Sequence, residues 1–203
     1  MDQQHWNEYY KSNEEPWTTP DEAMVAEVED MPPGRALDLG AGEGGDSMWL
    51  AERGWDVTAV DYAPAAIATL EEIARGRGFR IEGVVANILE YRPQSRYDLV
   101  IMCYMHLPAS ERATMLANAS TALAPEGTLL FIAVDPSDDS SDDFHGLLAT
   151  ADEVIAELPR LNIERAETVR RTLPFPEDPS YEGNGLIVRA RRTADQAQRR
   201  NRL

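Results

Sequence analysis

The sequence predicts an α/β fold: a mostly parallel sheet of about seven strands with helices on both faces. Three observations carry this. Residues 36–61 read as strand, glycine-rich turn, helix, strand. Apolar strands then alternate with amphipathic helical stretches as far as Val134. The stretch Tyr97–Met102 is almost wholly apolar, as a central parallel strand covered on both faces must be.

Taken in order, Trp6, Tyr9 and Tyr10 fall at i, i+3 and i+4, one stripe of a short helix. Glu14–Thr18 is a turn that carries Trp17. Thr19 is predicted to cap a second helix, with Pro20 at its first position and Glu22 completing a capping box. Met24, Val25 and Val28 form its apolar face, and Pro32-Pro33-Gly34 ends it. After the strand from Ala36 and the glycine turn, Asp46–Arg53 is helical and Gly54 stops it. Val57–Val60 leads to Asp61 and Tyr62, and Pro64 opens a helix with Ile67, Leu70, Ile73 and Ala74 on one face. Gly76 and Gly78 close that helix before the strand Ile81–Ala86. Ala109–Leu123 is amphipathic, Ala124-Pro125-Glu126-Gly127 turns the chain, and Thr128–Val134 is the fifth strand.

Asp135–Asp143 reads as a solvated acidic loop bordering the carboxyl ends of the strands, with Phe144 and His145 reaching inward from its far side. Thr150-Ala151-Asp152-Glu153 is a capping box for a helix to Leu158. Ile163–Arg171 and Gly185–Arg191 are strands joined by the loop Leu173–Asn184 without an intervening helix, so they are expected to pair antiparallel. The expected organisation is one domain over 1–203: a helical lead-in at 1–33, a core at 34–191 and an unstructured basic tail at 192–203.

Composition narrows the function classes. With 203 residues and 43% hydrophobic content the chain can bury one α/β core. A single Cys excludes an internal disulfide framework, and the scattered His5, His106 and His145 make no metal-ligand cluster, so no metal is expected. No apolar run approaches the roughly 20 residues of a membrane span, and the polar start is not a signal peptide, so the expected location is cytoplasmic. A net charge of −17 disfavours nucleic acid and anionic membranes as partners and favours neutral or cationic small substrates, though it also serves plain solubility. Oligomeric state is not readable.

The chemistry concentrates in the glycine turn. Gly40, Gly42 and Gly45 satisfy the dinucleotide spacing G-x-G-x-x-G, and Asp38, Gly40, Gly42 and Gly44 satisfy D-x-G-x-G-x-G. Asp38 discriminates between them. A carboxylate at the strand end repels a pyrophosphate, whereas it can face an ammonium. Asp61, at the tip of the next strand, is placed to accept hydrogen bonds from ribose hydroxyls. The stretch resembles the first motif of class I S-adenosylmethionine-dependent methyltransferases, and the order of later segments resembles them over Trp6–Arg191.

The resemblance implies a Rossmann-like fold with an antiparallel last strand beside the fifth, and S-adenosyl-L-methionine as cofactor. It implies cofactor contacts from Asp38, Gly40, Ala41, Gly42, Asp61 and Tyr62. Asn87 stands where the family usually has an Asp that accepts from the adenine amino group, a bond its amide oxygen can also accept. Ile88 packs on the adenine or simply in the core, and Cys103 contributes backbone contacts at the tip of the fourth strand. The aromatic lead-in of this family often lies over the cofactor, so Trp17 either lines the site or packs its own segment. Tyr104 and His106 at the same strand tip are the candidate proton acceptors. The implied activity is methyl transfer by in-line displacement to a small molecule at S, O, N or a metalloid, as in the branch that includes thiopurine and tellurite-resistance methyltransferases. Two other classes stay open: an NAD(P)-dependent oxidoreductase using Gly40, Gly42, Gly45 and Asp61, and a non-catalytic cofactor-binding protein of the same fold.

Overall fold

A computed structural model describes residues 3–138, 146–173 and 180–194. The lead-in forms α1 (Gln3–Ser12) and α2 (Glu22–Val28). There follow β1 (Arg35–Leu39), α3 (Gly45–Glu52), β2 (Asp56–Asp61), α4 (Pro64–Arg77) and β3 (Ile81–Val85). β4 (Tyr97–Cys103), α5 (Ala109–Ala122), β5 (Leu123–Val134), α6 (Ala151–Glu157), β6 (Asn162–Thr172) and β7 (Glu182–Arg191) complete the described elements. They build a seven-stranded sheet in the order β3-β2-β1-β4-β5-β7-β6. The pairs among β1 to β5 are parallel, and β7 runs antiparallel to both β5 and β6. The Rossmann-like α/β class expected from sequence, with its antiparallel last strand, is the observed one.

Alternate residues of each strand point to opposite faces, and both faces are apolar. Leu37, Val100, Met102 and Phe131 pack with Met115 and Leu116 of α5 and Val154 of α6. Ala36, Leu99, Ile101 and Ile132 pack instead with Met24 of α2 and Trp49 and Leu50 of α3. The chain leaves β1 in one direction, through β2 and β3, and returns on its other side as β4. That reversal opens a crevice at the carboxyl ends of β1 and β4, the place where ligands bind in such sheets.

Three local expectations need correction. Asp21, not Thr19, caps α2, accepting from the Ala23 and Met24 N–H groups at 2.8 and 3.0 Å. Pro20 therefore precedes the helix. Residues 124–127 are a bulge inside β5: Tyr97 pairs with Leu123 and Leu99 with Thr128, and Glu126 takes φ +64°. The acidic stretch begins buried. Asp135 accepts from the Thr168 hydroxyl at 2.6 Å and Asp138 from the Tyr181 hydroxyl at 2.9 Å, which moors the segment after β5 to the last two strands. Phe144, His145 and the tail from residue 195 lie outside the described residues.

Candidate active site

The glycine turn is built by backbone conformations that side chains oppose. Gly40, Gly42 and Gly44 have φ of +83°, +52° and +91°. The turn is tied to the neighbouring strand, because the Gly40 and Ala41 N–H groups both donate to the Val60 carbonyl, at 2.8 and 3.1 Å. Asp61 fastens it further. One carboxyl oxygen accepts from the Gly42 N–H at 3.0 Å and the other from the Ala63 N–H at 2.9 Å. Burial pushes the Asp61 carboxyl above its usual range, against the pull of those amides. A Cβ on Gly40 would lie 2.0 Å from the Met105 sulfur, so the loop after β4 rests directly on the bare turn.

Beneath the turn lie two acids, Asp38 buried and Asp46 half-buried. Asp38 is 3% exposed and accepts from the Ser47 hydroxyl at 2.7 Å. Burial, reinforced by the neighbouring Asp46, pushes its pKa up to about 8. Asp46 accepts from the Asp21 N–H at 2.8 Å, and burial lifts it to about 6. Burial and the same carboxyls hold the Cys103 thiol well above its usual range, so it stays protonated.

Both candidate proton acceptors stand at the tip of β4, with ring centroids 6.1 Å apart. Tyr104 adopts φ +58° and donates its N–H to the Ile132 carbonyl at 2.7 Å. Its hydroxyl donates to Asp21 at 2.8 Å and accepts from Arg171 at 2.8 Å, while Arg171 also pairs with Asp21. Burial and Asp21 drive this phenol further up, so it acts as a post between α2, β4 and β6. The His106 Nε2 accepts from the Val134 N–H at 3.2 Å, and burial lowers its pKa to about 4. A neutral imidazole whose acceptor nitrogen is engaged by the backbone is a brace for β5. The geometry thus gives both residues scaffold bonds in addition to the position expected from sequence.

The other expected contacts ring the same edge. Tyr62 is half-buried, and its carbonyl accepts from the Gln3 side chain at 2.6 Å. Asn87 is exposed and its side-chain oxygen accepts from the Leu89 N–H at 3.0 Å, stiffening the turn after β3. Ile88 belongs to the core cluster with Leu39 and Val60. The Trp17 N–H donates to the Glu43 carboxyl at 2.8 Å. Sequence reasoning missed Glu43, Asp46, Met105 and Arg171. Glu43 reads as a spacer between glycines, and nothing along the chain signals that Arg171 meets Asp21 across 150 positions.

Residues 36–127 match a family model described as methyltransferase domain. Hemagglutinin 1 of Eikenella corrodens is 28% identical over 124 residues, 60% of this chain and 41% of that protein. Ribosomal RNA small subunit methyltransferase C of Alcanivorax borkumensis is 33% identical over 108 residues, 50% of this chain and 32% of that protein. The probable S-adenosyl-L-methionine-dependent methyltransferase TehB of Haemophilus influenzae is 28% identical over 109 residues, 53% of this chain and 38% of that protein. The matches thus span less than half the length of these relatives. A structure described under the conversion of a disulfide bond into a thioacetal group during echinomycin biosynthesis superposes with a TM-score of 0.80 at 21% identity, over 98% of this chain and 97% of that one. N-methyltransferase NodS of Bradyrhizobium japonicum WM9, solved with S-adenosyl-L-homocysteine, superposes at 0.71 and 20% identity, over 95% and 99%.

The fold is the Rossmann-like one that this solved methyltransferase structure shares. Residues 36–127, rather less than half of the chain, carry the similarity to methyltransferase domains.

Proposed function

We propose that the protein moves a methyl group from S-adenosyl-L-methionine to a small-molecule acceptor at S, O, N or a metalloid. The observation that carries this reading is Asp38, buried at the end of β1 beneath a bare backbone turn. In its ionised form that carboxyl suits a cation and repels a diphosphate. The net charge of −17 acts in the same sense on acceptors, against nucleic acid and acidic surfaces. No helix among the described residues is long and apolar enough to cross a membrane. A cytoplasmic setting and a single functional unit over 1–203 belong to the proposal.

The residues present fit the cofactor. Asp38 would face its ammonium, and Gly40, Ala41 and Gly42 would lie against it without side chains larger than a methyl. The Asp61 oxygens accept from the Gly42 and Ala63 N–H groups, and a carboxylate has about four lone-pair sites, so it can still accept a ribose hydroxyl. Tyr62, Asn87 and Ile88 would border the adenine, and Cys103 and Trp17 would complete the enclosure. When bound, the cofactor supplies a methyl already activated on a sulfonium. The protein's share is then to align the acceptor at about 3–3.5 Å and exclude water, worth on the order of 7–11 kcal/mol of barrier. An acceptor that arrives deprotonated, such as a thiolate, needs no base. This agrees with the scaffold bonds of Tyr104 and His106.

The screen that tests this follows S-adenosylhomocysteine release with thiol, phenol, amine and metalloid acceptors. Release with at least one small acceptor is expected; none across the panel, with the cofactor bound, returns the protein to the non-catalytic class. His106→Ala tests the brace. It leaves the buried Val134 N–H without a partner, so a loss of about 1–3 kcal/mol of stability is expected, with kcat for a thiolate acceptor changed less than about tenfold. A kcat loss beyond about a hundredfold at unchanged melting temperature would make His106 the base.

Ligand affinity should depend on pH through Asp38. With its pKa at about 8 the carboxyl is mostly protonated at pH 7, and an ammonium prefers the ionised form. Binding of S-adenosylhomocysteine must therefore release a proton, and affinity should fall by up to about tenfold per unit as pH drops from 8 to 6. Calorimetry in buffers of different ionisation heat measures both; a flat affinity over that range contradicts the role of Asp38.

A further inference from the structure

Glu43 lies inside the glycine turn, between Gly42 and Gly44, yet it is only 4% exposed. One carboxyl oxygen accepts two hydrogen bonds, from the Asn13 side chain at 2.9 Å and from the Trp17 N–H at 2.8 Å. Both donors belong to the connection between α1 and α2. The other oxygen is buried without a hydrogen-bond partner among the described residues. The carboxyl thus spends one oxygen on the lead-in and keeps an acceptor beside the bare turn.

α1 contains no buried residue. It is attached by the Gln3 side chain on the Tyr62 carbonyl, by Asn7 accepting from the Ala65 N–H at 2.9 Å, and by the Tyr10 hydroxyl, which lies 3.0 Å from where a Cβ of Gly42 would be. These contacts lay α1 against the start of α4 and beside the glycine turn, where the cofactor is proposed to bind. A helix with no buried residue can be released without opening the core.

We propose that Glu43 is a positioning residue that latches the lead-in over the glycine turn, coupling closure of residues 3–17 to occupancy of the donor site. This rests on the proposed donor site, so its test uses a readout that does not need methyl transfer. Lys11, in the last turn of α1, is the only lysine in the sequence and is exposed. A lysine-specific endoprotease therefore reports release of the lead-in by one cut. In the wild type S-adenosylhomocysteine should slow that cut. Glu43→Ala should be cut at least about tenfold faster without ligand and should gain little protection from it. Glu43→Gln, whose amide oxygen can still accept both N–H groups, should be cut at the wild-type rate. If Glu43→Ala does not melt cooperatively, Asn13→Ala replaces it, with about threefold faster cutting expected. Wild-type cutting rates in the variant tested overturn the latch, as does undiminished protection of Glu43→Ala by the ligand. Failure of S-adenosylhomocysteine to bind the wild type overturns the donor site and with it the coupling. The ligand-free comparison then still decides whether Glu43 holds the lead-in.

Discussion

Asp38→Asn should lose about a hundredfold in affinity for S-adenosylhomocysteine while the protein becomes more stable at pH 8 and above. The affinity loss follows from replacing a charge-assisted contact to an ammonium by a neutral one inside a dry site, worth about 2–3 kcal/mol. The stability gain follows from the direction of the shift. The folded-state pKa of Asp38 is raised to about 8 by burial and by Asp46. Relative to an unfolded carboxyl the native state binds the extra proton, so the associated stability is complete at low pH and is lost as pH rises through about 8. Asn keeps an acceptor for the Ser47 hydroxyl and carries no charge to bury. Thermal melts at pH 6 and 9 with a calorimetric titration check both halves. A variant with unaltered affinity, or one less stable than the wild type at pH 9, contradicts this account of the residue.

Arg171→Ala should be among the most destabilising single changes, at about 3–5 kcal/mol, because it leaves the Asp21 carboxylate buried without its counter-charge. The Asp21 side chain is 4% exposed, and it also caps α2 and receives the Tyr104 hydroxyl. Tyr104 sits at φ +58°, a conformation that persists only where surrounding bonds impose it. Loss of Arg171 therefore loosens the tip of β4 and the start of α2 together. Adding Asp21→Asn should recover much of the loss, since Asn still caps the helix and needs no guanidinium. Chemical denaturation of the single and double variants measures the coupling. A double variant no more stable than Arg171→Ala would show that the ion pair is not what holds this corner.

What could be read from the sequence was what neighbours in the chain decide. The glycine turn, the helix caps at Thr150 and Gly78, and the strand periodicity depend on residues a few positions apart, and these appear in the structure as expected. The misplacements have distant causes. Asp21 displaces Thr19 as the cap of α2, where Asp46, Tyr104 and Arg171 all bond to it. The turn at 124–127 joins β5 as a bulge because Tyr97, on another strand, pairs with Leu123. The opening of the acidic stretch is buried because Thr168 and Tyr181 meet it there. The candidate site shows the same division. Asp38, Asp61 and the strand tip at 103–106 were legible from motif and order. The bonds that engage Tyr104, His106 and Glu43 were not, since each joins segments tens of residues apart.

The most direct test of the whole reading is a calorimetric titration of the unaltered chain with S-adenosylhomocysteine and, separately, with NAD. Saturable binding of one S-adenosylhomocysteine per chain, with proton release at pH 7 and no heat from NAD, is the expected result. Saturable binding of NAD with none of S-adenosylhomocysteine would contradict it.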